Sequence, residues 1–305
     1  MGEPSRTPSP WLRSGRGLPA PAAPPRDTRR VASFRLWFAV WVAMSLAVLS
    51  VASVPSGVSS VSRRPDQVGR RQFRLGSSAD GRPIVAIESG DFDSQRRELI
   101  VGCIHGDECA GVAIARRLAE APPPGKVDLW IVPNLNPDGF AAGTRTNARG
   151  VDLNRNFPWR WRRLVGVSSG PHPLSEPEAR IAYRLIERLR PGVTIWFHQH
   201  LHVVDDSTGS RPLERQFAST VGFPIAPLTR EPGSATNWQN HCFPAATAFV
   251  VELAAGPVRP ALLRRFTRAV AAIGARAPVE ATAAPACKSG TPSPTRHTLR
   301  LASPR

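Results

Sequence analysis

Apolar and polar positions along the chain follow two rhythms. Short, continuous apolar runs recur at Leu99–Ile104 (LIVGCI), Val127–Pro133 (VDLWIVP), Val193–Phe197 (VTIWF) and Ala246–Leu253 (ATAFVVEL). Each has strand length and is rich in β-branched or aromatic residues, without the alternation of a half-exposed strand. Between them, apolar residues three and four apart predict helices over Gly111–Glu120, Ser175–Leu189, Arg211–Val221 and Pro260–Gly274. APPPG stops the first; in the second, Ile181, Leu185, Ile186 and Leu189 share a face. Ser175, with Pro177 and Glu178 behind it, predicts an N-cap and capping box. FRLGSSADGRPIVAIESG, from Phe73, predicts two strands joined at Asp80-Gly81. Continuously apolar strands separated by helices predict an α/β domain whose mostly parallel sheet is covered on both faces. Sites in such sheets gather at the carboxyl ends of strands.

The rhythm stops at both ends of the chain. Residues 1–35 are Pro- and Arg-rich and predict a disordered basic segment. Residues 36–55, LWFAVWVAMSLAVLSVASVP, carry no charge, and are long enough to span a bilayer or to act as the core of an export signal. Arg29-Arg30 before them loosely match a twin-arginine signal. Residues 56–71 read as a polar linker, 72–274 as the folded domain and 275–305 as a disordered basic tail. Positive charge before the apolar run predicts a cytoplasmic N-terminus and an exported domain, secreted or membrane-anchored. A soluble intracellular protein is the rival, but it would have to bury the 36–55 run.

Charge sharpens this division. The net +17 belongs to the flanks, with +8 in 1–71 and +8 in 257–305, while 72–256 carries only +1. The balanced middle does not read as a nucleic-acid-binding domain. The flanks could meet anionic lipid or wall polymer, although Arg-rich disorder explains them as well. The four cysteines lack zinc-knuckle spacing; an exported domain allows a disulfide, with Cys109–Cys242 as the candidate pair and free, buried cysteines as the alternative. Oligomeric state is not readable.

The chemistry lies at strand ends. ELIVGCIHGDECAG places His105 and Glu108 where a strand gives way to a helix, and a His and a Glu three apart can grip one metal. Catalytic zinc commonly takes two His and a carboxylate, leaving a position open. The third ligand comes from WFHQHLHVVD. His198 is best placed, but strand alternation also puts His200 and His202 on its face. Glu252, at the end of AFVVEL, is the candidate base that takes a proton from zinc-activated water. NLNPDGFAAGTRTNARGVDLNRNF, a polar loop of functional length, offers Arg145, Arg149, Arg155, Asn147, Asn154 and Asn156 to a developing oxyanion or a substrate carboxylate.

In this order, HGDE (105–108), NPDGF (136–140), GTRTNARGVDLNRNFP (143–158), FHQH (197–200) and VVEL (250–253) resemble the zinc carboxypeptidases of the M14 peptidase family. The resemblance spans about residues 72–274 and is closest to the bacterial murein peptide amidase A-like branch. It implies a single zinc-carboxypeptidase-like domain with a mixed, eight-stranded sheet. It implies that His105, Glu108 and His198 bind Zn2+, that Glu252 is the general base and that Arg145 polarises the scissile carbonyl. Asn154 and Arg155 would bind the substrate's terminal carboxylate, and Asp107 has no catalytic part. The tyrosine that digestive members carry shortly before the catalytic glutamate has no counterpart, since the single tyrosine, Tyr183, lies in a helix. GSATNWQNHCFPAAT (233–247) stands there, with Trp238, Asn240 and His241 as candidate pocket residues. The implied activity is hydrolysis of an amide near a peptide's free carboxylate, with a murein peptide as the expected substrate. The alternatives are release of C-terminal residues from ordinary peptides, deacylation of small N-acyl amino acids, and a catalytically dead wall-binding protein.

Overall fold

The turn at Asp80-Gly81 joins β1 (Val68–Ser77) to β2 (Pro83–Asp91), which pair antiparallel. The computed structural model describes residues 68–279 and Cys287, all within the unit 59–305. The basic segment 1–35, the apolar run 36–55, the linker up to residue 67, and 280–305 other than Cys287 lie outside the described residues. The catalytic body begins earlier than the sequence suggests: β1 starts at Val68, inside the stretch read as linker, because Val68–Arg71 pair with Glu88–Asp91.

After β2 come β3 (Arg97–Val101), α1 (Gly111–Glu120), β4 (Asp128–Val132), α2 (Pro137–Ala142), α3 (Pro177–Leu189), β5 (Val193–Asp205), α4 (Arg211–Val221), β6 (Ile225–Ala226), α5 (Ala235–Cys242), β7 (Thr247–Ala254) and α6 (Pro260–Gly274). The sheet runs β1-β2-β4-β3-β5, and β7 and β6 both pair with β5. The β1–β2 and β2–β4 pairs are antiparallel and the others parallel. The sheet is therefore mixed, with seven strands among the described residues rather than the eight the resemblance implies.

The continuous apolar runs are explained by two cores, one on each face. Leu99, Val101, Trp130, Val132, Trp196 and Val250 pack against α3 and α5. Their neighbours Ile100, Leu129, Ile131, Ile195, Phe197, Phe249 and Val251 pack against α1, α4 and α6. Successive side chains of a strand point to opposite faces, so a strand covered twice must be apolar at every position.

Four local expectations fail. Helix α3 starts one residue late: Glu176, not Ser175, is the N-cap, and it makes no side-chain cap bond. Glu178, expected to close a capping box, instead accepts from Ala79 N–H and Asn147. Strand β5 continues past His198 to Asp205 because β7 and β6 supply partners beyond β3. The tail does not begin at Ala275: Ala277 is buried in the core under α6. The cysteines pair Cys103–Cys109 and Cys242–Cys287, not Cys109–Cys242. Cys242 lies on the face of α5 turned to one core, whereas Cys103 and Cys109 both lie within the loop between β3 and α1.

Candidate active site

Two register positions set the site. Trp196 pairs with Val250 in the core, and two residues on, His198 pairs with Glu252. A period of two keeps both pairs on the α3/α5 face, so the apolar layer ends in a histidine beside a glutamate.

The loop after β3 brings His105 and Glu108 to the same place. Two glycines make this approach possible. A Cβ on Gly106 would overlap the Gly139–Phe140 backbone, and one on Gly111 would overlap Gly102 O and Phe197. NPDGF serves as the clamp. Asn136 caps α2 by accepting from Gly139 N–H (2.9 Å) and donates to Ile104 C=O (3.1 Å), beside His105. Asp138 accepts from Ser78 and Arg82 and ties α2 to the first hairpin.

His105 Nδ1 and His198 Nδ1 both face Glu108 Oε2, at 3.0 and 2.9 Å. The three side chains offer donor atoms within 4.8 Å of one another. His105 is 1 % exposed, and its Nε2 meets Asp152 Oδ1 at 3.0 Å. A carboxylate on one ring nitrogen fixes the tautomer and turns the other nitrogen to the metal, as is usual for metal-binding histidines. Two imidazole nitrogens and one carboxylate are a catalytic zinc set, so the residues present fit that ion.

Asp152, the first residue of DLNRNF, is the group that sequence reasoning missed. Its signal was an acid placed among arginines and asparagines. Its second oxygen holds Arg145 Nε at 3.0 Å, and Arg145 also pairs with Glu108 Oε1. Burial works against the Asp152 and Glu108 anions, but His105, joined by arginines at Asp152 and by His198 at Glu108, holds both carboxyls far below the usual range. Burial, with Glu108 nearby, pushes the Glu252 carboxyl up, and its Oε2 is buried with no hydrogen-bond partner among the described residues. A carboxylate of raised pKa is a better proton acceptor.

Arg145, Asn154 and Arg155 line the same cleft of about 220 Å³ as His105, Glu108, His198 and Glu252. Asn154 Oδ1 accepts from Ala235 N–H (2.9 Å), which leaves its NH2 group as the donor for a ligand. Arg155 donates to Asn154 C=O and stands 3.8 Å from Glu231. The other polar residues of the loop do structural work. Asn147 donates to Glu176 and Glu178, Asn156 binds the 169–176 backbone, and Arg149 pairs with Glu176.

His200 and His202 do not join the cluster. The β5–β7 register shifts after His200, and His202 packs edge-on against Phe223. Nor do the candidate pocket residues of 233–247 line this cleft. Trp238 is buried against Tyr183 and Phe157, Asn240 bonds Ala248 main chain, and His241 stacks on Trp159 at 3.3 Å. From that segment the cleft takes Ser234 and Thr236; from the segment before it come Leu228, Thr229, Arg230 and Glu231. Asp107 is exposed.

Comparison with known proteins places this geometry in context. Residues 94–276 match the model of the succinylglutamate desuccinylase/aspartoacylase catalytic domain. Murein peptide amidase A of Escherichia coli K12 is 31% identical over 196 residues, covering 56% of this chain and 78% of that protein. The crystal structure of murein-tripeptide amidase from Escherichia coli O157 superposes with a TM-score of 0.57 at 24% identity, over 67% of this chain and 91% of that one. Carboxypeptidase A from Helicoverpa armigera also superposes at 0.57, with 18% identity, over 69% of this chain and 68% of that one.

Proposed function

We propose, for a chain that belongs to the zinc carboxypeptidase family, that its substrate is a murein peptide and that it cleaves the γ-D-glutamyl–diaminopimelate amide. The chain is a metallohydrolase of the amidase and carboxypeptidase kind, like its relatives. The observation that carries the finer reading is one cleft that holds the His105–Glu108–His198 donor set, Glu252, Arg145, and the Asn154–Arg155 pair.

Each residue has a task. His105, Glu108 and His198 would hold zinc, and Asp152 positions His105. When bound, the ion supplies Lewis acidity, which lowers the pKa of water and polarises the scissile carbonyl. Glu252 takes the proton of the attacking water and delivers it to the leaving nitrogen. Arg145 meets the negative charge that develops on the carbonyl oxygen. Asn154 and Arg155 bind the carboxylate of the leaving residue, which sets which amide reaches Glu252.

The far wall of the cleft favours a charged leaving residue over an apolar one. Asp205, Arg230 and Glu231 line it beside Leu201 and Leu228, so a leaving side chain meets charged groups there as well as apolar surface. The domain's place in the cell follows from the 36–55 run: an exported enzyme, secreted or anchored, with its catalytic domain outside. No helix among the described residues is long and apolar enough to cross a membrane. A reporter fused after residue 71 tests this; retention of the reporter in the cytoplasm refutes export.

The activity test incubates the zinc-loaded full chain with a murein tripeptide and with ordinary peptides of varied C-terminus. Diaminopimelate is released from the tripeptide, a chelator abolishes release and added zinc restores it. Faster release from the ordinary peptides would favour the carboxypeptidase alternative, and zinc binding without any turnover would favour a dead binding protein.

A further inference from the structure

Arg230 and Glu231 line two cavities. One is the cleft that holds the catalytic cluster. The other is a pocket of about 340 Å³ framed by Trp159, Arg160, Thr208, Asn237, Asn240 and His241. The mechanism above uses only the first.

The residues between the two cavities are held in place. Asp205, 1 % exposed at the end of β5, accepts Arg230 Nη1 at 2.6 Å and Leu228 N–H at 2.9 Å. Arg230 Nη2 donates to Asp206 C=O. These bonds use two of the guanidinium's five donors. The side chain remains 31 % exposed, with donors left for a ligand. Glu231 is 37 % exposed and is held only loosely, 3.8 Å from Arg155 Nε. A cation and an anion thus stand side by side, next to the arginine assigned to the substrate's terminal carboxylate. Beyond them the pocket is firm. The Trp159 and His241 rings stack at 3.3 Å and 15°, and Asn240 is locked to Ala248 by bonds of 2.7 and 2.8 Å.

A side chain passing this wall with no charge leaves both groups without a ligand partner. One with a single charge satisfies only one of them. A side chain ending in both an ammonium and a carboxylate satisfies both, with the arginine taking the carboxylate in its planar fork and Glu231 taking the ammonium. We propose that Arg230 and Glu231 select a leaving residue whose long side chain ends in an amino-carboxylate, and that the Trp159–His241 pocket houses that end. The direction of the substrate rests on the function proposed above; the recognition itself is a binding property that can be measured without turnover.

The test is calorimetric titration of the zinc-loaded full chain with three free amino acids. meso-Diaminopimelate ends in both groups, L-lysine in the ammonium alone and L-2-aminopimelate in the carboxylate alone. Diaminopimelate binds at least tenfold more tightly than either. Arg230→Gln combined with Asp205→Asn, which leaves no buried carboxylate unpaired, lowers diaminopimelate affinity to that of lysine. Glu231→Gln, at an exposed position, lowers it to that of aminopimelate. Equal affinities for the three ligands overturn the proposal, as does loss by one common factor in both variants, the mark of a merely structural role. The two readings fail separately. Absence of tripeptide cleavage with this order of affinities intact refutes the amidase function and leaves the recognition standing, and cleavage without the order does the reverse.

Discussion

Glu252 and Asp152 reach the reaction by different routes, and two substitutions separate them. Glu252 would move a proton itself, so Glu252→Gln lowers kcat by roughly 10²–10⁴-fold, the usual contribution of a general base, while zinc content stays stoichiometric by metal analysis. Zinc retained with kcat unchanged would remove the base assignment. Asp152 is buried and does not line the cleft. It holds His105 Nε2 and Arg145 Nε, each at 3.0 Å. Asp152→Asn therefore weakens zinc affinity by about 10–100-fold, the range for groups behind a metal ligand, as read by competition with a chromogenic chelator. The residue types of the site were legible in the sequence because zinc chemistry admits few donors. Asp152 was not, because nothing in DLNRNF shows which of its polar side chains turns inward. That is decided by the main-chain turn at Leu153–Arg155, where Asp152 also caps Asn154 N–H.

At the scale of elements, strands and helices followed from periodicity; α1, α4 and α6 have the predicted bounds. The misses occur where partners far along the chain override local preference. Strand β5 is long because β7 and β6 pair with its end, and within the segment 233–247 the start of α5 is anchored where Gly233 bonds main chain to main chain with Phe157 and Trp159. The middle of the sheet also carries a charge problem. Asp128 on β4 and Glu88 on β2 are buried near one another, opposite Arg97 and Arg71. Burial, aided by Glu88, pushes the Asp128 carboxyl up to about 7. A raised carboxyl binds its proton more tightly in the folded state, so its contribution is complete below the unfolded pKa of about 4. That contribution is lost as pH rises through about 7. The denaturation midpoint of the full chain thus falls between pH 5 and pH 8, and Asp128→Asn flattens the fall. An unchanged slope in the variant would acquit Asp128.

For the whole molecule, the Cys242–Cys287 disulfide ties the chain beyond α6 to α5, closing a separation of 45 residues. Cross-linking a loop of that length removes chain entropy from the unfolded state, worth about 4 kcal/mol at most. Cys287→Ala accordingly lowers stability by roughly 2–4 kcal/mol, measured by guanidinium denaturation under oxidising conditions. The Cys103–Cys109 pair spans only six residues and has a smaller entropic effect. A Cys287→Ala protein as stable as its parent would show that this cross-link adds nothing to the fold.

The sequence by itself determined the sheet's two-sided burial, the helices on both faces, and the donor set at the strand ends. Those depend on periodicity and on donor chemistry, which are local properties. It also determined where charge is concentrated, because charge is a sum over residues. Only the tertiary structure decided which of three histidines joins His105 and Glu108: His198 closes on Glu108, while His200 is exposed and His202 packs against Phe223. Only it separated the polar residues of one loop that line the cleft from those that bind the scaffold. Cysteine pairing and the Arg230–Asp205 wall were likewise invisible in the sequence. Such contacts join residues far apart in the chain, and their geometry is fixed only once both cores have closed.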